Sequence, residues 1–136
     1  DHVMLNPPFF RHGSPSDHPA RHVARHEQTP LRDWLDAGLR RLKPGGIITL
    51  IHATDRVPDI LAGFGDRVGG VTLRPLIPRT GREAKRVILQ AQKGARTPFR
   101  LLAPFVLHKG DSHHKDADSY TDAAAGILRN GAPFPD

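Results

Sequence analysis

The chain has 136 residues, of which 38% are hydrophobic, so it can form one domain with a modest core. It has no cysteine, which excludes disulfides and thiolate metal sites, and no apolar run approaches the roughly 20 residues that span a bilayer. With 20 Lys and Arg against 14 Asp and Glu, the formal charge is +6, and nucleic acid is the usual acidic partner of such a chain. No signal peptide is recognisable, so we expect a cytoplasmic protein.

The first predicted element is a short strand at Val3 to Leu5. The sequence starts at Asp1, not at Met, and the strand follows almost at once, which suggests a chain that begins within a fold. The strand ends at Pro7 and Pro8, which cannot donate to a ladder. Residues 9–30 show no sustained period, and we predict a loop there with a short helix around 18–27.

An amphipathic helix and a buried strand are predicted next. Thr29 can cap the helix, Pro30 suits its first turn, and apolar residues then recur at helical spacing as far as Leu42. Pro44 and the two glycines after it end the helix. The run at 47–51 is rich in β-branched residues without polar alternation, which is typical of a parallel strand covered on both faces.

The second half predicts one more helix and an antiparallel pair of strands. Thr54 or Asp55 can cap a helix that runs to about Phe64. Strands at 71–77 and 86–92 are joined by a connection short enough for an antiparallel pair, which should close one edge of the sheet. A short strand at 105–107 and a terminal helix at 121–129 follow. This order predicts an α/β fold, mostly parallel, with an antiparallel hairpin at its edge.

The motif Asn6-Pro7-Pro8-Phe9 stands at the carboxyl end of the first strand, where open parallel sheets place their ligand sites. The prolines restrict the backbone, so the Asn6 side chain and the Pro7 carbonyl can be two fixed acceptors for one amino group. When the two hydrogens of an aromatic amine are held out of the ring plane, the lone pair is localised on the nitrogen. The amine can then attack a methyl sulfonium in line. Phe9 can stack on a flipped-out base, worth on the order of 1–3 kcal/mol. The plainer alternative is a turn after a strand, with phenylalanine packed inward.

These residues carry a resemblance to a known family. Asn6-Pro7-Pro8-Phe9 is similar to the catalytic motif of class I S-adenosylmethionine-dependent methyltransferases that act on the amino group of adenine. Residues 42–46 resemble the helix-to-strand turn common in class I methyltransferases. Residues 75–79 and 84–90 resemble the final hairpin of the tRNA(Val) adenine N6-methyltransferases. The resemblance covers nearly the whole chain.

The resemblance implies a Rossmann-like class I fold, of which residues 1–136 are the C-terminal portion of a single methyltransferase domain. It implies S-adenosylmethionine as methyl donor and, as target, the adenosine just 3′ of the anticodon in a valine tRNA. By the same resemblance Asn6 and Pro7, followed by Pro8, hold the target amine and Phe9 stacks on the base, although family members often have Tyr in the place of Phe9. The family's glycine-rich loop and its acidic ribose-binding residue have no counterpart in this sequence, so no cofactor-binding residues are assigned. We therefore expect the chain alone neither to bind the methyl donor tightly nor to turn over.

The densest basic region lies between residues 79 and 100, where Glu83 is the single acid. Beside a base pocket, these cations would contact tRNA phosphates and make binding fall steeply with added salt. The alternative is a solvated hairpin whose charges discourage edge pairing. The predicted nucleic-acid-binding residues are Arg79, Arg82, Lys85, Arg86, Lys93, Arg96 and Arg100.

Two further hypotheses remain open beside an RNA adenine methyltransferase. One is a DNA or other amino-methyltransferase with the same motif, and the other is a catalytically empty RNA-binding module that keeps the sheet and the basic hairpin. His18, His22 and His26 stand at helical spacing, but no carboxylate or cysteine completes a ligand set, so no metal site is predicted. The sequence does not indicate an oligomeric state.

Overall fold

The computed structural model describes residues 1–8 and 30–108. The helices predicted around 18–27 and at 121–129, and the cap predicted at Thr29, lie outside these residues. In chain order the elements are β1 (His2–Leu5), α1 (Leu31–Arg41), β2 (Ile47–Ala53), a 3-10 turn (Thr54–Arg56), α2 (Val57–Phe64), β3 (Val68–Ile77), β4 (Arg86–Lys93), β5 (Arg100–Leu101) and β6 (Phe105–Val106).

The described strands form a six-stranded sheet in the order β1-β2-β4-β3-β5, with β6 also paired to β3. β1 runs parallel to β2, with Leu5 opposite Leu50, whereas β4 runs antiparallel to both β2 and β3. The connection between β3 and β4 is too short for a crossover, so β4 must return antiparallel. The predicted α/β sheet, mostly parallel with an antiparallel hairpin, is confirmed. The hairpin inserts β4 beside β2, and the short strands β5 and β6 lie outside β3.

Both helices pack on one face of the sheet. Leu35 and Leu39 of α1 and Phe64 of α2 are buried against Ile48 and Leu50 of β2. Gly38 permits this close packing, because a Cβ at that position would lie 3.0 Å from the Cδ1 of Leu5 and 3.1 Å from the Cδ1 of Ile48. The apolar spacing that predicted α1 thus also identifies the face that covers β1 and β2.

The opposite face of the sheet is open in the part of the chain that the structure describes. It forms a groove of about 580 Å³, lined among others by Met4, Thr49, Ile51 and Ile88, and Met4 is 74% exposed. On the described strands, β1 pairs with β2 alone, so its outer edge has no neighbouring strand. Parallel strands are normally covered on both faces, so this open face and edge are unusual for the sheet they belong to.

The helix termini differ from the sequence-based prediction. Neither Thr54 nor Asp55 caps α2, which begins at Val57 after the 3-10 turn, and no side-chain hydrogen bond caps either helical segment. The hydroxyl of Thr54 donates instead to the carbonyl of Ala84, at 2.8 Å. The predicted cap is therefore wrong, because Thr54 itself lies within the 3-10 turn, and its hydroxyl bonds to a distant segment of the chain instead of to the first turn of α2. Neither α1 nor α2 is long and apolar enough to cross a membrane.

Candidate functional site

Strands β1, β2 and β3 end at the same edge of the sheet, and so does the short strand β6, which is parallel to β3. β1, β2 and β3 point in one direction, since β1 is parallel to β2 and β4 is antiparallel to both β2 and β3. We call the edge where they end, after Leu5, Ala53 and Ile77, the carboxyl edge. Ligand sites of open α/β sheets lie at this edge. The segments that follow the three strands, residues 6–8, 54–56 and 78–85, are therefore the candidate site.

The Asn-Pro-Pro segment presents its asparagine to solvent. Asn6 is exposed, Pro7 is fully buried and Pro8 is exposed. Val3 and Leu5, which precede the segment in β1, pack against the core. The segment is therefore anchored through Pro7, while the Asn6 side chain is left accessible at the carboxyl edge. Phe9 lies outside the described residues, so its predicted stacking role stays a prediction.

His52 is a buried residue that the sequence analysis did not single out. It lies near the end of β2 and is fully buried, and its Nδ1 accepts the Ala53 N–H at 2.8 Å. Burial, with a smaller contribution from the positive charge of Arg56, lowers the pKa of His52.

A pattern in β2 could have pointed to His52. Ile48, Leu50 and His52 have the same parity along the strand, and the first two are core residues. A polar residue at the third core-facing position of an apolar strand requires hydrogen-bond partners. The parity of the strand thus marks His52 as a polar residue on the core-facing side of β2.

The β3–β4 loop, residues 78–85, is tied to the carboxyl edge by Thr54. The Thr54 N–H donates to the Lys85 carbonyl at 2.9 Å, beside the bond from the Thr54 hydroxyl to Ala84. Four of the seven predicted nucleic-acid-binding residues lie on or next to this loop. Three of them are exposed and the first is partly buried: Arg82, Lys85 and Arg86, and Arg79.

The other three predicted cations lie away from the carboxyl edge. Lys93 aligns with Val68 at the start of β3, and its ammonium group donates to the carbonyls of Leu39 and Leu42 at 2.6 and 2.7 Å. Arg96 is exposed in the segment after β4, and Arg100 aligns with Thr72 in β3. The seven residues therefore do not form one patch, and Lys93 binds the end of α1.

The described ranges contain no group of three or more His, Asp or Glu that could hold a metal ion. His18, His22 and His26 lie outside those ranges. The described site is therefore built from an amide side chain, backbone carbonyls and cations.

This architecture matches a solved methyltransferase structure. A predicted O-methyltransferase from Agrobacterium tumefaciens superimposes with a TM-score of 0.71 and 28% identity, over 96% of this chain and 50% of that protein. The sheet with its reversed strand and the helices on one face thus have the architecture of part of a class I methyltransferase.

Two curated relatives indicate which methyltransferases the chain resembles in sequence. The tRNA1(Val) (adenine(37)-N6)-methyltransferase of Aeromonas hydrophila is 33% identical over 118 residues, which are 85% of this chain and 49% of that protein. The protein of the same name from Aeromonas salmonicida is 38% identical over 96 residues, or 69% of this chain and 41% of that protein. No family model matches the chain. The resemblance based on residues 6–9, 75–79 and 84–90 is confirmed, and the chain spans about half the length of the curated relatives it matches.

Proposed function

We propose that this chain is the catalytic C-terminal portion of a methyltransferase that methylates the exocyclic amine of an adenine in tRNA. The observation that carries the proposal is the exposed Asn6 beside the buried Pro7 at the carboxyl edge. The names of the two Aeromonas relatives support both the reaction and the class of RNA.

The proposed chemistry depends on how the Asn6-Pro7 corner holds the amine. The amide oxygen of Asn6 and the carbonyl of Pro7 each accept one N–H of the target amine, which turns its lone pair away from the ring and toward an electrophile. S-adenosylmethionine would supply that electrophile, a methyl group on a sulfonium. A new N–C bond then replaces the C–S bond, and the methylated amine releases one proton to water. The residues of this chain contribute positioning and fixed dipoles.

The open face and edge of the sheet support the proposal that residues 1–136 are part of a larger domain. Among the described strands the outer edge of β1 is unpaired and can accept a further parallel strand, and the groove beside the exposed Met4 can accept a covering layer. The sequence has no spaced glycines between a strand and a helix, the pattern that binds the phosphate or ribose region of a nucleotide. We therefore propose that the missing half supplies most of the cofactor site, and that residues 1–136 alone are inactive.

The cations of the β3–β4 loop support a nucleic-acid substrate. Arg82, Lys85 and Arg86 are exposed at the same edge as Asn6, where a flipped-out base would bring its own phosphates close to them. We place the phosphate contacts on these three residues and on Arg79. Lys93 is left out of this interface because its ammonium group already binds two helix carbonyls.

The test is methyl transfer by the complete protein and its Asn6→Ala variant. With unmodified tRNA as substrate, we expect Asn6→Ala to lower kcat at least 100-fold and to leave tRNA affinity within about twofold, since the amide acts on one amino group. Gln92→Ala is the matched control. That side chain is also an exposed amide, but it donates to the Gly45 carbonyl at the opposite edge, so kcat should not change.

Three other outcomes of these assays would contradict the proposed function or its residue roles. Retention of kcat by Asn6→Ala would overturn the role of the Asn6-Pro7 corner. Binding of tRNA without transfer by the wild-type protein would indicate an empty RNA-binding module. Transfer to single-stranded DNA in preference to tRNA would indicate a DNA methyltransferase.

A further inference from the structure

A row of aligned leucines crosses the sheet from β1 to β5, with one leucine on each strand. We call it the leucine row, and its members in strand order are Leu5, Leu50, Leu89, Leu73 and Leu101. Side chains that are aligned on neighbouring strands lie on the same face of a sheet. Leu50 and Leu89 are fully buried in the core that the two helices form with the sheet. The leucine row therefore belongs to the face that the helices cover.

The helix layer ends before the last member of the leucine row. Leu73 of β3 is 9% exposed, whereas Leu101, its neighbour on β5, is 68% exposed. Phe99, two residues earlier in the chain, is 50% exposed. We call Leu101 and Phe99 the β5 patch. Within the described ranges, α1 and α2 thus leave an apolar end of their own face uncovered, where a further apolar element would be stabilised by burial.

The β5 patch lies far from the places proposed for the missing half of the domain. β1 is the first strand of the order and β5 the last, so four strand spacings separate them. At about 4.8 Å a spacing, the distance is roughly 19 Å. A strand added beside β1 would not reach the patch, and a layer in the groove would cover the opposite face. The β5 patch therefore calls for a different occupant.

The last described residues lie on the same side of the sheet as the β5 patch. The N–H of His108 donates to the carbonyl of Pro78, just after the end of β3, at 2.8 Å. β6 pairs with the end of β3, and β5 pairs with β3 four residues earlier, about 13 Å along the strand. Residues 109–120 can span up to about 40 Å when extended. A helix that follows them can therefore return to the β5 patch.

The sequence of the C-terminal segment fits an apolar surface. The helix predicted at 121–129 lies outside the described residues, but its residue pattern can be read from the sequence. Apolar and aromatic side chains recur at positions i, i+4, i+7 and i+8, namely Tyr120, Ala124, Ile127 and Leu128. A helix of this length is not stable alone in water and needs its apolar stripe to be packed. The segment therefore needs a surface of the kind that the β5 patch offers.

We propose that residues 121–129 dock on the β5 patch as a third helix on the face covered by α1 and α2. The stripe of Ile127 and Leu128 then buries Leu101 and Phe99, and the apolar layer extends to the last strand of the sheet. The proposal goes beyond methyl transfer and does not depend on it, because it concerns how the outer strands are covered.

The test is the rate at which a thiol placed in the β5 patch reacts with a maleimide in the folded, complete protein. Leu101→Cys introduces the thiol, and peptide mass spectrometry identifies the labelled residue. This sequence has no other cysteine that could be confused with it. Thr80→Cys, at an exposed position of the β3–β4 loop, gives the rate of an uncovered thiol.

We expect Leu101→Cys to react at least about tenfold more slowly than Thr80→Cys, since only local opening would expose it. Adding Ile127→Asp should raise the rate at residue 101 to that of Thr80→Cys. The matched control is Ala125→Asp, which places the same charge away from the apolar stripe and should leave the rate unchanged. Met4→Cys, on the opposite face, should keep its own rate when Ile127→Asp is added.

Three results would overturn the proposal. The first is equal reactivity of Leu101→Cys and Thr80→Cys, which would mean that nothing covers the β5 patch. The second is protection that Ile127→Asp does not remove, which would mean that the missing half covers it. The third is protection that is lost on dilution, which would mean that a second copy covers it. If Ile127→Asp also raises the rate of Met4→Cys, the milder Ile127→Ala decides, because it must raise the rate at residue 101 alone.

Discussion

The hydroxyl of Thr54 donates a 2.8 Å hydrogen bond to the carbonyl of Ala84, 30 residues later in the chain. Together with the bond from the Thr54 N–H to the Lys85 carbonyl, it fastens the β3–β4 loop to the end of β2. Thr54 therefore links the cations of the loop to the edge that carries Asn6.

Replacement of Thr54 by valine should loosen this loop. The Ala84 carbonyl would lose its partner at a partly buried site, so we expect a loss of about 1 kcal/mol in the free energy of unfolding. Urea denaturation measures this loss, and Thr80→Val, at an exposed position of the same loop, is the control. Equal stability of Thr54→Val and wild type would show that the bond contributes nothing.

Replacement of Arg82 by alanine should weaken tRNA binding and reduce its salt dependence. One phosphate contact fewer lowers the slope of log affinity against log salt by about 0.7–1, whatever the sequence of the RNA. Arg96→Ala serves as comparison, since Arg96 is also exposed but lies away from the carboxyl edge. Titrations at several salt concentrations give both slopes, and an equal decrease for the two variants would contradict a loop-specific interface.

Replacement of Lys93 by methionine should destabilise the fold without changing tRNA affinity. The ammonium group donates to two carbonyls at the end of α1, and those carbonyls would lose a charged donor. We expect a loss of about 1–3 kcal/mol in the free energy of unfolding. Lys43→Met, at an exposed position after α1, is the control, and a tRNA affinity that falls with stability unchanged would return Lys93 to the interface.

Acidification should weaken the fold through His52. Burial and the charge of Arg56 lower the pKa of its ring below the ordinary value, so the folded state binds fewer protons than the unfolded state in this range. The stabilisation is complete above the unfolded pKa of about 6.5, and it is lost as the pH falls from there through the lower folded pKa.

The measurement for His52 is the free energy of unfolding between pH 7.5 and the acidic limit of folding, on the order of pH 5. Because the chain has other histidines, the quantity to compare is the slope for wild type against the slope for His52→Leu. The variant should show a smaller decrease. Parallel curves would mean that the His52 ring does not titrate differently in the two states.

The sequence predicted the sheet well because its signals are local. The β-branched run at 47–51 predicted the strand β2, although the second face of β2 is open in the described residues instead of covered as predicted. The short connection between the last two long strands required a hairpin. The cap of α2 could not be predicted in this way, because the hydroxyl of Thr54 bonds to Ala84, 30 residues later in the chain, and no local rule indicates a distant partner.

The sequence by itself determined that an Asn-Pro-Pro corner follows a strand, since the two prolines cannot continue a ladder in any fold. Only the tertiary structure decided that Asn6 is exposed, that His52 is fully buried, and that Lys93 caps a helix instead of joining the other cations. The reason is that burial and hydrogen-bond partners depend on which strands pair and in what register, and pairing between segments more than 40 residues apart leaves no local signal.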